Sequence, residues 1–169
     1  MRTLGVGLWL VLIALTLTPQ AAGSTACLVL SGNEPERVLA RLPIEETVPF
    51  CLEFVNSIYL APVRETFVYQ PVEGFFLVKV ESPSAGVFEY YGLMPDGSGS
   101  VNMRRRLGDI RLLSHDYQHH RLMIGDRTFH LKGLVPDGQP LTMKVRTGKE
   151  CEPLIDGSHG GSHGGRYGR

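Results

Sequence analysis

The sequence predicts an all-β fold, a small antiparallel β-sandwich or a partly closed β-barrel, in one domain. Three features lead there. From Ala26 onward apolar residues recur with period two, turn-forming residues break the pattern roughly every ten positions, and no segment keeps helical periodicity for three turns. The chain has 169 residues, 43% of them hydrophobic, enough for one core, and its 20 glycines and 11 prolines are dispersed as turn residues.

The expected strands follow in order. Cys27–Leu30 stops at Ser31-Gly32-Asn33, and Arg37–Leu42 at Pro43. Phe50–Tyr59 and Val63–Tyr69 flank Leu60-Ala61-Pro62. Phe75–Val80 ends at Ser82-Pro83-Ser84, and Val87–Leu93 at Met94-Pro95-Asp96-Gly97. Val101–Met103, Ile110–Leu113, Leu122–Ile124, Thr128–Leu131 and Leu141–Val145 complete the set. Ile124-Gly125-Asp126-Arg127 has glycine first in a two-residue hairpin turn, and Pro136-Asp137-Gly138 precedes the last strand.

Residues 1–26 read as an address. Met1-Arg2 is followed by an apolar run from Leu4 to Leu17, then Pro19 and the small residues Ala21 to Ala26. Those fourteen residues would rise about 21 Å as a helix, short of a bilayer core of roughly 30 Å. Charge, apolar run and small residues in that order make a secretory signal peptide, cleaved after Gly23 or Ala26; the alternative is an uncleaved anchor. Residues 27–150 form the β domain, expected in the periplasm or secreted. Residues 151–169 form a flexible tail: from Gly157 they hold six glycines and no aliphatic residue, with His159 and His163 in a repeated Ser-His-Gly-Gly.

Cys27, Cys51 and Cys151 all lie beyond the cleavage zone, where disulfides persist, and their odd number leaves one over. Ser24-Thr25-Ala26-Cys27 is similar to the end of a bacterial lipoprotein box, which would acylate Cys27; otherwise Cys27 is an ordinary strand residue. The expected pair is Cys51 with Cys151, and Cys27 with Cys51 is the next.

Charge excludes one class of partner. Seventeen basic residues against seventeen acidic ones leave no basic footprint for nucleic acid. Arg104-Arg105-Arg106 is a local run suited to an acidic partner, to lipid headgroups or simply to water. His115, His119 and His120 lie within six residues, beside Asp116, and are the best metal candidates; no resident cofactor is expected. Ser57, Glu65 and a histidine supply the residue types of a hydrolytic triad, but no Gly-x-Ser-x-Gly elbow presents the serine.

One constellation follows from parity. Phe50, Leu52, Phe54, Asn56 and Ile58 share one face of their strand, as Val63, Glu65, Phe67 and Tyr69 do of theirs. Pairing the strands about Leu60-Ala61 puts Asn56 opposite Glu65, a polar pair inside an apolar face. The run Phe54-Val-Asn-Ser-Ile-Tyr-Leu-Ala-Pro-Val-Arg-Glu-Thr-Phe67 resembles the Asn/His-Ser, Pro-Val, Glu pattern of the bacterial domain-of-unknown-function family 1850. Tyr90-Tyr91-Gly92 and Leu122-Met-Ile-Gly125 are similar as well, so the resemblance spans roughly Ala26 to Arg146. It implies a small exported, non-enzymatic protein, accessory to a TAXI-type tripartite ATP-independent periplasmic transporter, with a transporter component or its solute-binding protein as partner. Asn56, Ser57, Glu65, Tyr90 and Tyr91 become the candidate binding residues. Asn56 stands where many relatives carry His, which removes a titrating group from that position. The alternative function is a metal-handling or hydrolytic protein built on His115, His119 and His120.

Overall fold

The computed structural model describes residues 26–33, 36–94 and 97–152. Ten strands occur among them: β1 (Ala26–Asn33), β2 (Glu36–Ile44), β3 (Phe50–Asn56), β4 (Ala61–Gln70), β5 (Gly74–Glu81), β6 (Ser100–Leu107), β7 (Ile110–Leu113), β8 (Arg121–Ile124), β9 (Arg127–His130) and β10 (Pro140–Thr147). They form two antiparallel sheets, one ordered β2-β1-β10-β7 and the other β6-β5-β4-β3-β8-β9. The fold is a β-sandwich, and neither sheet closes into a barrel.

Alternation builds the core. Leu28, Leu30, Leu42, Ile44, Leu141 and Met143 come from the four-stranded sheet, and Phe50, Leu52, Val63, Phe67, Leu77 and Leu122 meet them from the other. Phe50, Phe67 and Phe75 cluster with ring centroids 5.4 to 5.8 Å apart. Truncating one such buried ring to alanine costs about 3–5 kcal/mol. Tyr117 is fully buried, with its hydroxyl 2.8 Å from the Gln139 carbonyl oxygen and 3.2 Å from that of Leu112. Both turn signals hold: β8 and β9 are joined by Gly125-Asp126 with Gly125 at φ 58°, and Gly138 precedes β10 at φ 74°.

Four expectations are corrected. Val87–Leu93 is not a strand. Ala85–Tyr90 is a short helix, α1, which buries the consecutive residues Val87 and Phe88, as one helical turn can and an alternating strand cannot. Six residues are too few to display three turns of periodicity. Second, Arg104-Arg105-Arg106 is not a solvated turn but part of β6, which pairs with β5 and runs to Leu107.

Third, the β3–β4 hairpin turns over four residues, Ser57 to Leu60, rather than two. Asn56 ends the strand: its side-chain carbonyl accepts the backbone N–H groups of Ile58 and Tyr59 at 3.0 and 3.1 Å. That local bonding competes with the ladder and closes the turn early, with Leu60 left-handed at φ 50°. Asn56 consequently pairs with Ala61, and Glu65 with Leu52.

Fourth, the disulfide joins Cys27 to Cys151, with Cα atoms 5.5 Å apart, and Cys51 is the free cysteine. The topology accounts for the choice. Cys27 on β1 lies opposite Arg146 on β10, and the 3-10 turn Gly148–Cys151 folds straight back from the end of β10. Cys51 belongs to the other sheet. A Cys27 sulfur in that bond is not free for a lipid, and Cys151 is part of the domain rather than of the tail. Residues 1–25, where a signal peptide is expected, and the tail with His159 and His163 lie outside the described residues.

Candidate binding groove

β3 and β4 carry two unlike polar sites, one on each face of the same sheet. On the inner face, Glu65 projects among Val63, Phe67 and Val80. The Tyr91 hydroxyl, just past α1, donates to Glu65 Oε1 at 2.6 Å. Desolvation raises the Glu65 carboxyl above its ordinary value, and the Tyr91 bond pulls it partly back. Burial, with the Glu65 charge next to it, holds the Tyr91 phenol far above its usual range. Parity thus placed Glu65 inside, but its partner, Tyr91 at the end of α1, lies 26 positions along the chain and is not Asn56.

The other candidates group around the same end of the sandwich. The Tyr90 ring meets that of Tyr91 edge-on at 5.7 Å and is exposed. Ser57 is exposed in the β3–β4 turn, and the Tyr59 ring from that turn lies against Gly86 of α1, so close that a Cβ there would collide with it. Ser57 and Glu65 therefore sit on a turn and an inner face, and among the described residues no histidine bonds to either in the manner of a triad.

The outer face carries a ladder of charges. Glu81 on β5 lies opposite Arg64 on β4, Arg64 opposite Glu53 on β3, Glu53 opposite Arg121 on β8, and Arg121 opposite His130 on β9. One row of side chains thus crosses five adjacent strands, and its charges alternate in sign from Glu81 to Arg121. Arg121 donates to Glu53 Oε2 at 2.7 Å, Arg64 approaches Glu53 Oε1 at 3.7 Å, and Lys79 holds Glu81 at 2.8 Å. In the next row Cys51 faces Thr66, Sγ to Oγ1 3.5 Å, and the thiol beside Arg64 helps hold its guanidinium in the charged form.

Above this row lies a groove of 610 Å³. The charged row forms its floor; Phe54, Val55, Pro62 and Pro83 supply apolar wall, and His119 stands at its edge. A volume of this size suits a small organic molecule. The row was hidden in the sequence because it depends on four separate pairings. The only local trace is a single charge of each sign, Glu53 on β3 and Arg64 on β4, which becomes meaningful once the register is known.

His115, His119 and His120 are not gathered into a ligand set. His115 and His119 are exposed, whereas His120 is buried, stacked on Phe54 at 5.6 Å and edge-on to Tyr117 at 5.1 Å. Among the described residues no three His, Cys, Asp or Glu side chains converge as metal ligands would. His120 Nδ1 makes no hydrogen bond of normal geometry among the described residues, and burial lowers the imidazole below its ordinary value, partly opposed by Asp116. Compared with known proteins, the chain matches no family model, no curated protein and no solved structure.

Proposed function

We propose that this chain is an exported, non-enzymatic binding module that seats a small ligand in the outer groove of its six-stranded sheet. The observation that carries this is the groove itself: a 610 Å³ concavity with an in-register row of ionised side chains on its floor and apolar residues on its walls. Polar groups that fix orientation, set among apolar surface, are the general make-up of a ligand site. The Cys27–Cys151 disulfide supports an oxidising compartment, periplasmic or extracellular. The sequence resemblance to family 1850 supports a role beside a TAXI-type transporter, with a transporter component or its solute-binding protein as partner. Metal handling or hydrolysis by His115, His119 and His120 is the weaker reading, since one of the three is built into the core.

The test is a thermal-shift panel of small acids, amines, sugars and neutral amphiphiles, run on the wild type and on Val55→Trp, which fills the groove from its wall. At least one class should raise the wild-type Tm and leave that of the variant unchanged. No shift with any class, or equal shifts in both proteins, would overturn the reading.

A further inference from the structure

We propose that the ligand of this groove is a small amphipathic anion, a carboxylate on an apolar body, with the carboxylate held between Arg64 and Arg121. The assignment rests on the groove being a binding site and adds the chemistry of its occupant. Charge counting leads to it. Glu81 is shared between Lys79, at 2.8 Å, and Arg64 opposite it, and Glu53 is shared between Arg64 and Arg121. Three cations against two carboxylates leave one unit of positive charge uncompensated on this face.

Exposure reinforces the count. The Arg64 and Arg121 side chains are 47% and 52% exposed and that of Glu53 only 23%, so the cationic groups face the groove and their counter-ion lies beneath them. Arg121 is hydrogen-bonded to Glu53, but the 3.7 Å between Arg64 and Glu53 is beyond hydrogen-bond length. Each guanidinium has five N–H donors, and planar forks of this kind match a carboxylate with two parallel bonds.

The walls choose among anions. Phe54, Val55, Pro62 and Pro83 offer apolar surface that a bare inorganic anion would leave wet. A neutral amphiphile would cover the walls but strip water from guanidinium donors without replacing it. An ammonium group would meet the excess positive charge. An anionic head on an apolar body satisfies floor and walls together.

Calorimetric titration of the exported protein with its disulfide intact tests this, using hexanoate, phenylacetate and indole-3-acetate as acids of increasing body. Phenylacetamide, phenethylammonium and inorganic phosphate are the comparison probes. At least one acid should bind, with the amide, the ammonium and phosphate each weaker by about tenfold or more, a difference of roughly 1.4 kcal/mol. Arg64→Gln and Arg121→Gln should each weaken that acid by a similar factor, with Arg64→Lys and Arg121→Lys recovering part of the loss. Unchanged melting temperatures in these four variants separate lost recognition from lost folding. Amide or ammonium binding as tight as acid, abolished by Val55→Trp, would overturn the anion assignment and leave the groove standing. Acid binding that survives Val55→Trp would place the anion elsewhere. No binding of any probe would overturn the anion assignment, while the wider panel on the same two proteins decides the groove separately.

Discussion

Glu53 and Glu65 occupy consecutive rungs of one hairpin, Glu53 opposite Arg64 and Leu52 opposite Glu65, yet they live in different chemistries. Glu65 faces the sandwich interior with a single hydroxyl donor and is pushed toward its neutral form. Glu53 faces outward with two guanidiniums and stays within reach of solvent. A step of one residue along a strand turns a side chain through the sheet, and the face determines whether a carboxylate is a strained core group or part of a charged floor. The inner site ties α1 to the sheet through Tyr91. The outer one, built of partly exposed ion pairs, contributes little to stability.

The largest expected effect touches both sites equally. Replacing Cys27 and Cys151 together by serine releases a link between residues 124 apart, worth about 5 kcal/mol in the chain-entropy model. Urea unfolding should show that loss, and non-reducing peptide mapping should recover Cys27 joined to Cys151 with Cys51 as the one free thiol. Two separate thiols at those positions would remove the frame on which the comparison stands.

Next comes the inner site alone. Tyr91→Phe leaves the Glu65 carboxylate without its donor and should cost about 1–3 kcal/mol at pH 8. Glu53→Gln removes only partly exposed ion pairs and should cost less than about 1 kcal/mol. Equal losses would erase the distinction between the faces.

Acidity gives the third test. Because the folded Glu65 carboxyl is raised, its contribution is complete below the unfolded value near 4.5 and declines as pH climbs from there through the folded value. Glu65→Gln should abolish that decline, so its stability relative to wild type should rise between pH 4 and about 8. Tyr91→Phe should steepen the decline, since the hydroxyl no longer favours the ionised form. Difference curves from urea melts read both; parallel curves for wild type and Glu65→Gln would mean that Glu65 is solvated.

The smallest effect concerns His120, which lies behind the groove wall on Phe54. Its lowered folded value makes its contribution complete above the unfolded value near 6.5 and lost as pH falls below it. His120→Phe keeps the ring stacking and removes the unpartnered Nδ1. Stability at pH 8 should be unchanged or higher by about 1 kcal/mol, and the loss on acidification from pH 7 to 5 should shrink. A clear loss of stability at pH 8 would show that His120 Nδ1 is bonded after all.

Much of this was legible in the residues themselves. Alternation and turn punctuation determined an all-β domain, the Gly125-Asp126 hairpin, the inward face of Glu65 and the apolar set that became the core, because side-chain period and turn chemistry are local properties. The helix at Ala85–Tyr90 escaped because six residues hold too little periodicity to separate it from a strand. The hairpin register slipped because a side-chain bond at Asn56 closes the turn at Ser57–Leu60 instead of letting the ladder run on to Tyr59, while both registers keep the same residues on the same faces. The partner of Cys27, the Tyr91–Glu65 bond and the row from Glu81 to His130 were decided only by tertiary structure. The disulfide and the charged row join residues that meet through strand order, and Tyr91 reaches Glu65 because Val87 and Phe88 seat α1 in the core; both depend on how the whole chain packs rather than on any segment within it.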